Sequence, residues 1–150
     1  LQTQGLRIAV AESCTGGSLS TALTSVPGAS KSFVGGVVAY DDAVKVRELG
    51  VSPAAIASFG AVSEAVALAM ARGARERLGA DLALSTTGIA GPSGGTPEKP
   101  VGLVWFGLSD AAGRERAWHA LLRGDRETVV RRATTIGLGA LWRHLTHQDP

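Results

Sequence analysis

Two kinds of apolar run alternate along this chain. Leu6 to Ala11 is a continuous apolar and small stretch with a single Arg, stopped by Glu12-Ser13 and Gly16-Gly17, the pattern of a buried strand feeding a loop. Ser18 to Val26 has helical composition and ends at Pro27-Gly28. Phe33 to Tyr40 predicts a second strand, β-branched at Val34, Val37 and Val38, with a glycine pair that admits a close neighbour. Asp41 to Leu49 predicts a short helix closed by Gly50, and Ser52-Pro53 opens another with proline at its first position.

The second half repeats the alternation. From an N-cap at Ser63, with Glu64 in the first turn, a helix is predicted to Leu78; it carries Val66, Met70 and Ala74 on one face and stops at Gly79. Asp81 to Thr87 predicts a third strand, and Gly88 to Pro100 is a long Gly/Pro loop of the kind that usually carries function. Val101 to Ser109 and Arg116 to Leu122 predict two strands joined as a hairpin around Asp110 to Gly113. A last helix, Arg126 to about His144, has a broad apolar stripe that includes Val129, Ala133, Ile136 and Ala140. Strands interleaved with helices and closed by one hairpin predict an α/β fold, a single three-layer α/β/α sandwich around a mixed β-sheet, with residues 1–150 as one domain.

Composition narrows the class. At 150 residues, with 45% hydrophobic and 19% charged positions, the chain has a globular makeup and is neither disordered nor fibrous. The 20 glycines against 3 Trp, 3 Phe and 1 Tyr point to tight backbone approaches. A net charge of +2 is too small to imply a nucleic-acid surface, and no apolar span of membrane length is present, so neither nucleic acid nor membrane is an expected partner. The lone Cys14 cannot pair internally, which suits a reducing compartment, and a cytoplasmic location is expected. Because the chain starts at Leu1, it reads as a trimmed protein or part of a longer one.

Candidate chemistry gathers at strand ends. Glu12-Ser13-Cys14-Thr15-Gly16-Gly17 lies between a strand and a helix, where Ser13 would be exposed and backbone N–H groups would be free to hold an anion or oxyanion. A plain helix cap and turn explains the same residues about as well. Cys14 is a rival nucleophile, but alternation turns it to the opposite sheet face, and lone cysteines more often pack in cores. Lys45 follows the second strand and would serve as a base for Ser13 if burial kept its amine neutral; a solvated lysine is the commoner role. With the first two strands parallel, Tyr40 and Lys45 would emerge at the edge that carries Ser13. The same edge would receive Thr86, Thr87 and Gly88, the N–H groups of Gly91 to Gly95, and Arg126 at the start of the last helix, placed to clamp a phosphate. His119, His144 and His147 lack a third ligand at suitable spacing, so no metal is expected.

Taken in order, AESCTGG (Ala11 to Gly17), VVAYDDAVKVRELGV (Val37 to Val51), GAVSE (Gly60 to Glu64), TGIAGPSGG with EKPVG (Thr87 to Gly102) and GDR (Gly124 to Arg126) resemble the successive motifs of the CinA C-terminal domain family, over nearly the whole chain. That resemblance implies a cofactor-free amidohydrolase of pyridine-nucleotide salvage, converting nicotinamide mononucleotide and water to nicotinate mononucleotide and ammonia. It implies Ser13 as nucleophile, Lys45 as general base, Tyr40 assisting the lysine, and Thr87 and Arg126 as further site residues. The oxyanion would be held by backbone N–H groups around Gly16, Gly17 and Ser18 or around Thr87 and Gly88, with Gly91 among the substrate-binding positions. Family members usually begin with a helix before the first strand, of which at most a last turn is present here, and some are fused behind a pyrophosphatase-like domain. Apolar surface left uncovered at the amino end would favour a dimer or trimer. Two rival readings are a nucleotide-binding regulatory module without turnover and a serine amidase for another phosphorylated amide.

Overall fold

In the computed structural model, which describes residues 1–146, the strands and helices follow the order β1 (Ile8–Glu12), α1 (Ser18–Thr24), β2 (Phe33–Val38), α2 (Asp42–Leu49), α3 (Pro53–Phe59), α4 (Glu64–Leu78), β3 (Leu82–Gly88), β4 (Leu103–Asp110), β5 (Glu115–Leu121) and α5 (Arg126–Leu145). Local chemistry sets most boundaries. The side chains of Asp41, Ser52, Ser63 and Asp125 each accept a backbone N–H at a helix start, and Pro53 fills a first helical position. Gly50 and Gly79 adopt the left-handed conformation that closes α2 and α4.

The strands form one five-stranded sheet in the order β2-β1-β3-β4-β5. β1 runs parallel to β2 and to β3, whereas β4 is antiparallel to both β3 and β5. The parallel pairing of the first two strands, needed to bring Tyr40 and Lys45 to the edge that carries Ser13, is present. The sheet is mixed because the hairpin β4-β5 adds antiparallel strands beside β3.

Alternation along β1 and β3 divides the core between two layers. Ala9, Ala11 and Ala83 pack with Val66, Met70 and Ala74 of α4 and with Leu49 of α2. Ile8, Val10, Leu82 and Leu84 face the other way, toward Leu19 of α1 and Leu141 of α5. The small residues on the α4 side let that helix sit close. A Cβ on Gly107 of β4 would stand 2.4 Å from the Ala67 carbonyl oxygen of α4, and one on Gly73 of α4 would stand 1.8 Å from the Leu49 carbonyl oxygen of α2. At these two positions the glycines serve the close backbone approach that the composition implied.

Register at the carboxyl ends of the strands decides which side chains meet there. Glu12 of β1 is level with Val38 of β2 and with Thr86 of β3. Ala39 N–H donates to the Glu12 carbonyl (2.7 Å), and Ser13 N–H donates to the Thr86 carbonyl (2.9 Å), so the ladders run one step further. Ser13, Ala39-Tyr40 and Thr87 therefore leave the sheet side by side, although Tyr40 lies 27 positions after Ser13 in the chain.

Candidate active site

Ser13 is buried at the end of β1. The preceding residue, Glu12, points to the α1 side, where its carboxylate meets Leu19 and Ser20; alternation then directs Ser13 to the face covered by α2 and α4. Cys14 returns to the α5 side, packed with Ala90, Val104, Phe106, Val129 and Ala133. Burial pushes the Cys14 thiol up to about 12, so it stays protonated near neutral pH and is no nucleophile. The preference for Ser13 over Cys14 agrees with both facts.

Lys45 lies on α2, on the same sheet face as Ser13, and its side chain is only 2% exposed. Its Nζ donates to Asp42 Oδ1 (3.0 Å) and to the Tyr40 carbonyl (3.3 Å). Lysines are rarely buried to this degree, so the solvated-surface reading of Lys45 fails. Lys45 and Arg126 both exert a small electrostatic pull on the Cys14 thiol, outweighed by its burial.

Tyr40 bonds to both Lys45 and Arg126. It touches Lys45 through its carbonyl, whereas its half-exposed ring turns the hydroxyl to Arg126, which donates to it (2.5 Å). A second guanidinium nitrogen of Arg126 donates to the Gly91 carbonyl (3.0 Å). Arg126 thus ties the exit of β2 to the Gly/Pro loop from the first turn of α5. A guanidinium has five N–H donors in a planar fork, so donors remain for an incoming anion.

Thr87 is also engaged. Its hydroxyl donates to the Ala61 carbonyl (2.8 Å), holding the α3-α4 connection against the end of β3. Thr86, one residue earlier, faces the α1 side and is paired with Thr15 (2.7 Å between hydroxyl oxygens).

The N–H groups of the nucleophile turn correct one expectation. Gly16 N–H donates to the Ser13 carbonyl, Ser18 N–H donates to the Thr15 carbonyl, and Gly17 N–H donates to the Glu12 carboxylate. Gly16, Gly17 and Ser18 therefore have no backbone donor left for an oxyanion. The turn's own carbonyls take the Gly16 and Ser18 donors, and Glu12, a carboxylate at the end of an otherwise apolar strand, takes that of Gly17. Residue type and spacing gave Glu12 no role; its signal was the charge closing the run Ile8-Ala9-Val10-Ala11. The alternative donor, Gly88, remains. Its neighbour Ile89 donates toward β4, to the Leu103 carbonyl, and the Thr86 carbonyl faces β1, so strand alternation turns the Gly88 N–H to the β1 side of β3.

The histidines lie elsewhere. His119 rests against Trp105 with ring centroids 4.6 Å apart, His144 Nε2 lies 3.3 Å from Asp110, and His147 falls outside the described residues. A cavity of about 680 Å³ beside the start of α4 is lined by Phe59, Leu68, Trp105 and His119 among others and holds neither Ser13 nor Lys45. Its polar lining residues, Ser63, Glu64, Glu98, Lys99 and His119, are different from those at the strand ends. Among the described residues no helix is long and apolar enough to cross a membrane.

The model of the CinA C-terminal domain matches residues 1–145. The chain belongs to this family. A CinA-like protein of Gemmatimonas aurantiaca is 54% identical over 138 residues, covering 92% of this chain and 32% of its own length. A putative competence-damage inducible protein of Moorella thermoacetica is 48% identical over 148 residues, covering 99% and 36%. The chain thus spans about a third of the length of these curated relatives. Among solved structures, competence damage-inducible protein A (ComA) of Klebsiella pneumoniae superposes with a TM-score of 0.94 at 38% identity, covering 99% of this chain and 92% of that one. The competence/damage inducible protein CihA of Agrobacterium tumefaciens gives 0.91 at 39%, covering 93% and 86%. The α/β fold of this CinA-family chain is shared with them.

Proposed function

We propose that this CinA-family chain is a metal-independent amidase that hydrolyses the carboxamide of nicotinamide mononucleotide in pyridine-nucleotide salvage. The reading rests on the resemblance of its motifs to the amidases of the family, and one observation carries it. Lys45 is buried in the helix that follows β2, and β2 pairs in parallel with β1, at whose end Ser13 is buried. A buried amine beside a hydroxyl is suited to take its proton.

In the mechanism, Lys45 as the neutral amine takes the Ser13 hydroxyl proton while the Ser13 oxygen attacks the carboxamide carbon. The Gly88 N–H donates to the oxyanion of the tetrahedral intermediate. Collapse breaks the C–N bond, and the Lys45 ammonium returns its proton to the departing ammonia. Water, deprotonated by Lys45, then hydrolyses the acyl-enzyme to nicotinate mononucleotide and frees Ser13. Arg126, braced by Tyr40 and Gly91, supplies the remaining guanidinium donors to the substrate phosphate. Thr87 shapes the site through Ala61. Lys45 must exchange its bond to Asp42 for one to Ser13 as substrate enters.

Ammonia release from nicotinamide mononucleotide tests the reading. Wild type should release ammonia, and Ser13→Ala should be slower by about a thousandfold or more, because nucleophile and base act as a unit. Unchanged turnover by Ser13→Ala would remove the nucleophile. A regulatory module would bind the mononucleotide without releasing ammonia, and comparing the mononucleotide with its dephosphorylated riboside tests whether the phosphate is recognised.

A further inference from the structure

The Glu12 carboxylate, fully buried at the end of β1, accepts from the Thr15 hydroxyl (2.7 Å), Gly17 N–H (3.0 Å) and Leu19 N–H (3.0 Å) on one oxygen. The other oxygen accepts from Ser20 N–H (2.8 Å) and the Ser20 hydroxyl (2.7 Å). No Lys or Arg among the described residues forms an ion pair with it. Buried charges are ordinarily paired, so this one is compensated by hydrogen bonds alone, and all of them come from the turn and helix that succeed Ser13. Since Thr15 gives its proton to Glu12, Thr86 must donate to Thr15, which extends the chain of bonds from Glu12 to β3.

We infer that Glu12 is a positioning residue of the proposed amidase reaction: by gathering the donors of Thr15, Gly17, Leu19 and Ser20, it fixes the turn that aims Ser13 at Lys45 and withdraws the start of α1 from substrate anions. The inference rests on the amidase reading. It assigns the substrate phosphate to the Arg126 side of the site, because the α1 end already holds a carboxylate. It also makes a demand on the carboxylate that an amide cannot meet. In Glu12→Gln, whichever way the amide is turned, an NH₂ group faces one or two backbone N–H donors that cannot accept from it, and the network opens.

The test is steady-state ammonia release from nicotinamide mononucleotide by wild type, Glu12→Gln and Thr15→Val, together with the rate at which an alkyl fluorophosphonate labels Ser13. In the labelling step a P–O bond to Ser13 forms, fluoride leaves and the hydroxyl proton passes to the base, so the rate reports nucleophile alignment without the natural substrate. Glu12→Gln should lower kcat and the labelling rate together by about 10- to 100-fold, the effect of a small misplacement of reacting groups, with KM within about twofold of wild type. Thr15→Val, which removes one of the five bonds to the Glu12 carboxylate together with the link to Thr86, should lower both by less and carries the same comparison if Glu12→Gln does not fold. A merely structural Glu12 would reduce the folded fraction and leave both rates per folded molecule unchanged; that result, or a loss confined to KM, overturns the inference. Wild type that releases no ammonia defeats the amidase reading itself, which separates the two failures.

Discussion

Replacing Lys45 by methionine separates catalysis from stability, because the two should move in opposite directions. The side chain is 2% exposed and ends in a nitrogen whose ion-pair partner is Asp42. Burying such a group costs several kcal/mol, of order 2–5 after relaxation. The interactions that offset this cost are modest. The bond to Asp42 reaches a carboxylate that is 53% exposed, and an ion pair so open to water contributes about 0.5–1 kcal/mol. The bond to the Tyr40 carbonyl is long at 3.3 Å and adds about 0.5–1 kcal/mol. Methionine keeps the unbranched shape, fills the same space, and leaves Asp42 and the exposed Tyr40 to water. Lys45→Met should therefore be as stable as wild type or more stable by about 1–3 kcal/mol, each kcal/mol raising the melting temperature by about 2–4 °C in a domain of this size. Ammonia release should fall by about 10²–10⁴-fold, the usual contribution of a general base. Differential scanning calorimetry and a coupled ammonia assay on the same preparation give both numbers. A variant that melts lower by more than about 2 kcal/mol and still turns over at the wild-type rate would show that Lys45 holds the fold and does no chemistry.

Three other outcomes are expected from the structure. Cys14, with its thiol pushed up to about 12 against an ordinary 9.0, should carry about a thousandfold less thiolate than a free cysteine at neutral pH; alkylation of the native protein by iodoacetamide, monitored by mass spectrometry, should be slower by that order, and fast labelling would contradict its burial. Gly107→Ala should cost about 1–3 kcal/mol in thermal unfolding, since the new methyl meets the Ala67 backbone at 2.4 Å and α4 must move; a neutral effect would mean that α4 packs less closely against β4 than this distance requires. Burial pushes the Asp110 carboxyl up, but the Arg114 N–H and guanidinium outweigh it and, with His144, hold the group below the usual carboxylate value. A group lowered in the folded state binds fewer protons there than in the unfolded chain, so its stabilisation is present above the unfolded value of 3.8 and fades as pH falls through the lower folded one. Melting curves across that acid range should therefore decline less steeply for Asp110→Asn than for wild type, and parallel declines would refute the assignment.

Much of this molecule was legible along the chain because its cues are local. The alternation of apolar runs, the caps at Ser52-Pro53 and Ser63, and the stops at Gly50 and Gly79 depend on residues a few positions apart, and the observed elements keep to those boundaries within one or two residues. Ordered motifs likewise pointed to the family, since they are properties of the string itself. Strand order was not legible. Nothing near Ile8 states that β1 lies between β2 and β3; that arises from how the alanine face of β1 and β3 accepts α4 while the Ile-Val-Leu face accepts α1 and α5.

The site divides in the same way. Ser13 and Lys45 could be nominated from residue type and position, yet only the register of three strands brings the end of β1 beside the exit of β2 and the end of β3. The Tyr40 hydroxyl went to Arg126 and its carbonyl to Lys45, a choice made by the half-exposed position of the ring and not by residue type. The donors of Gly16 and Gly17 were lost to the turn itself and to Glu12 for a related reason. Hydrogen-bonding capacity is written in the sequence, but who consumes it depends on which groups burial brings together, and a buried carboxylate at a strand end takes the nearest unpaired N–H groups before any ligand arrives.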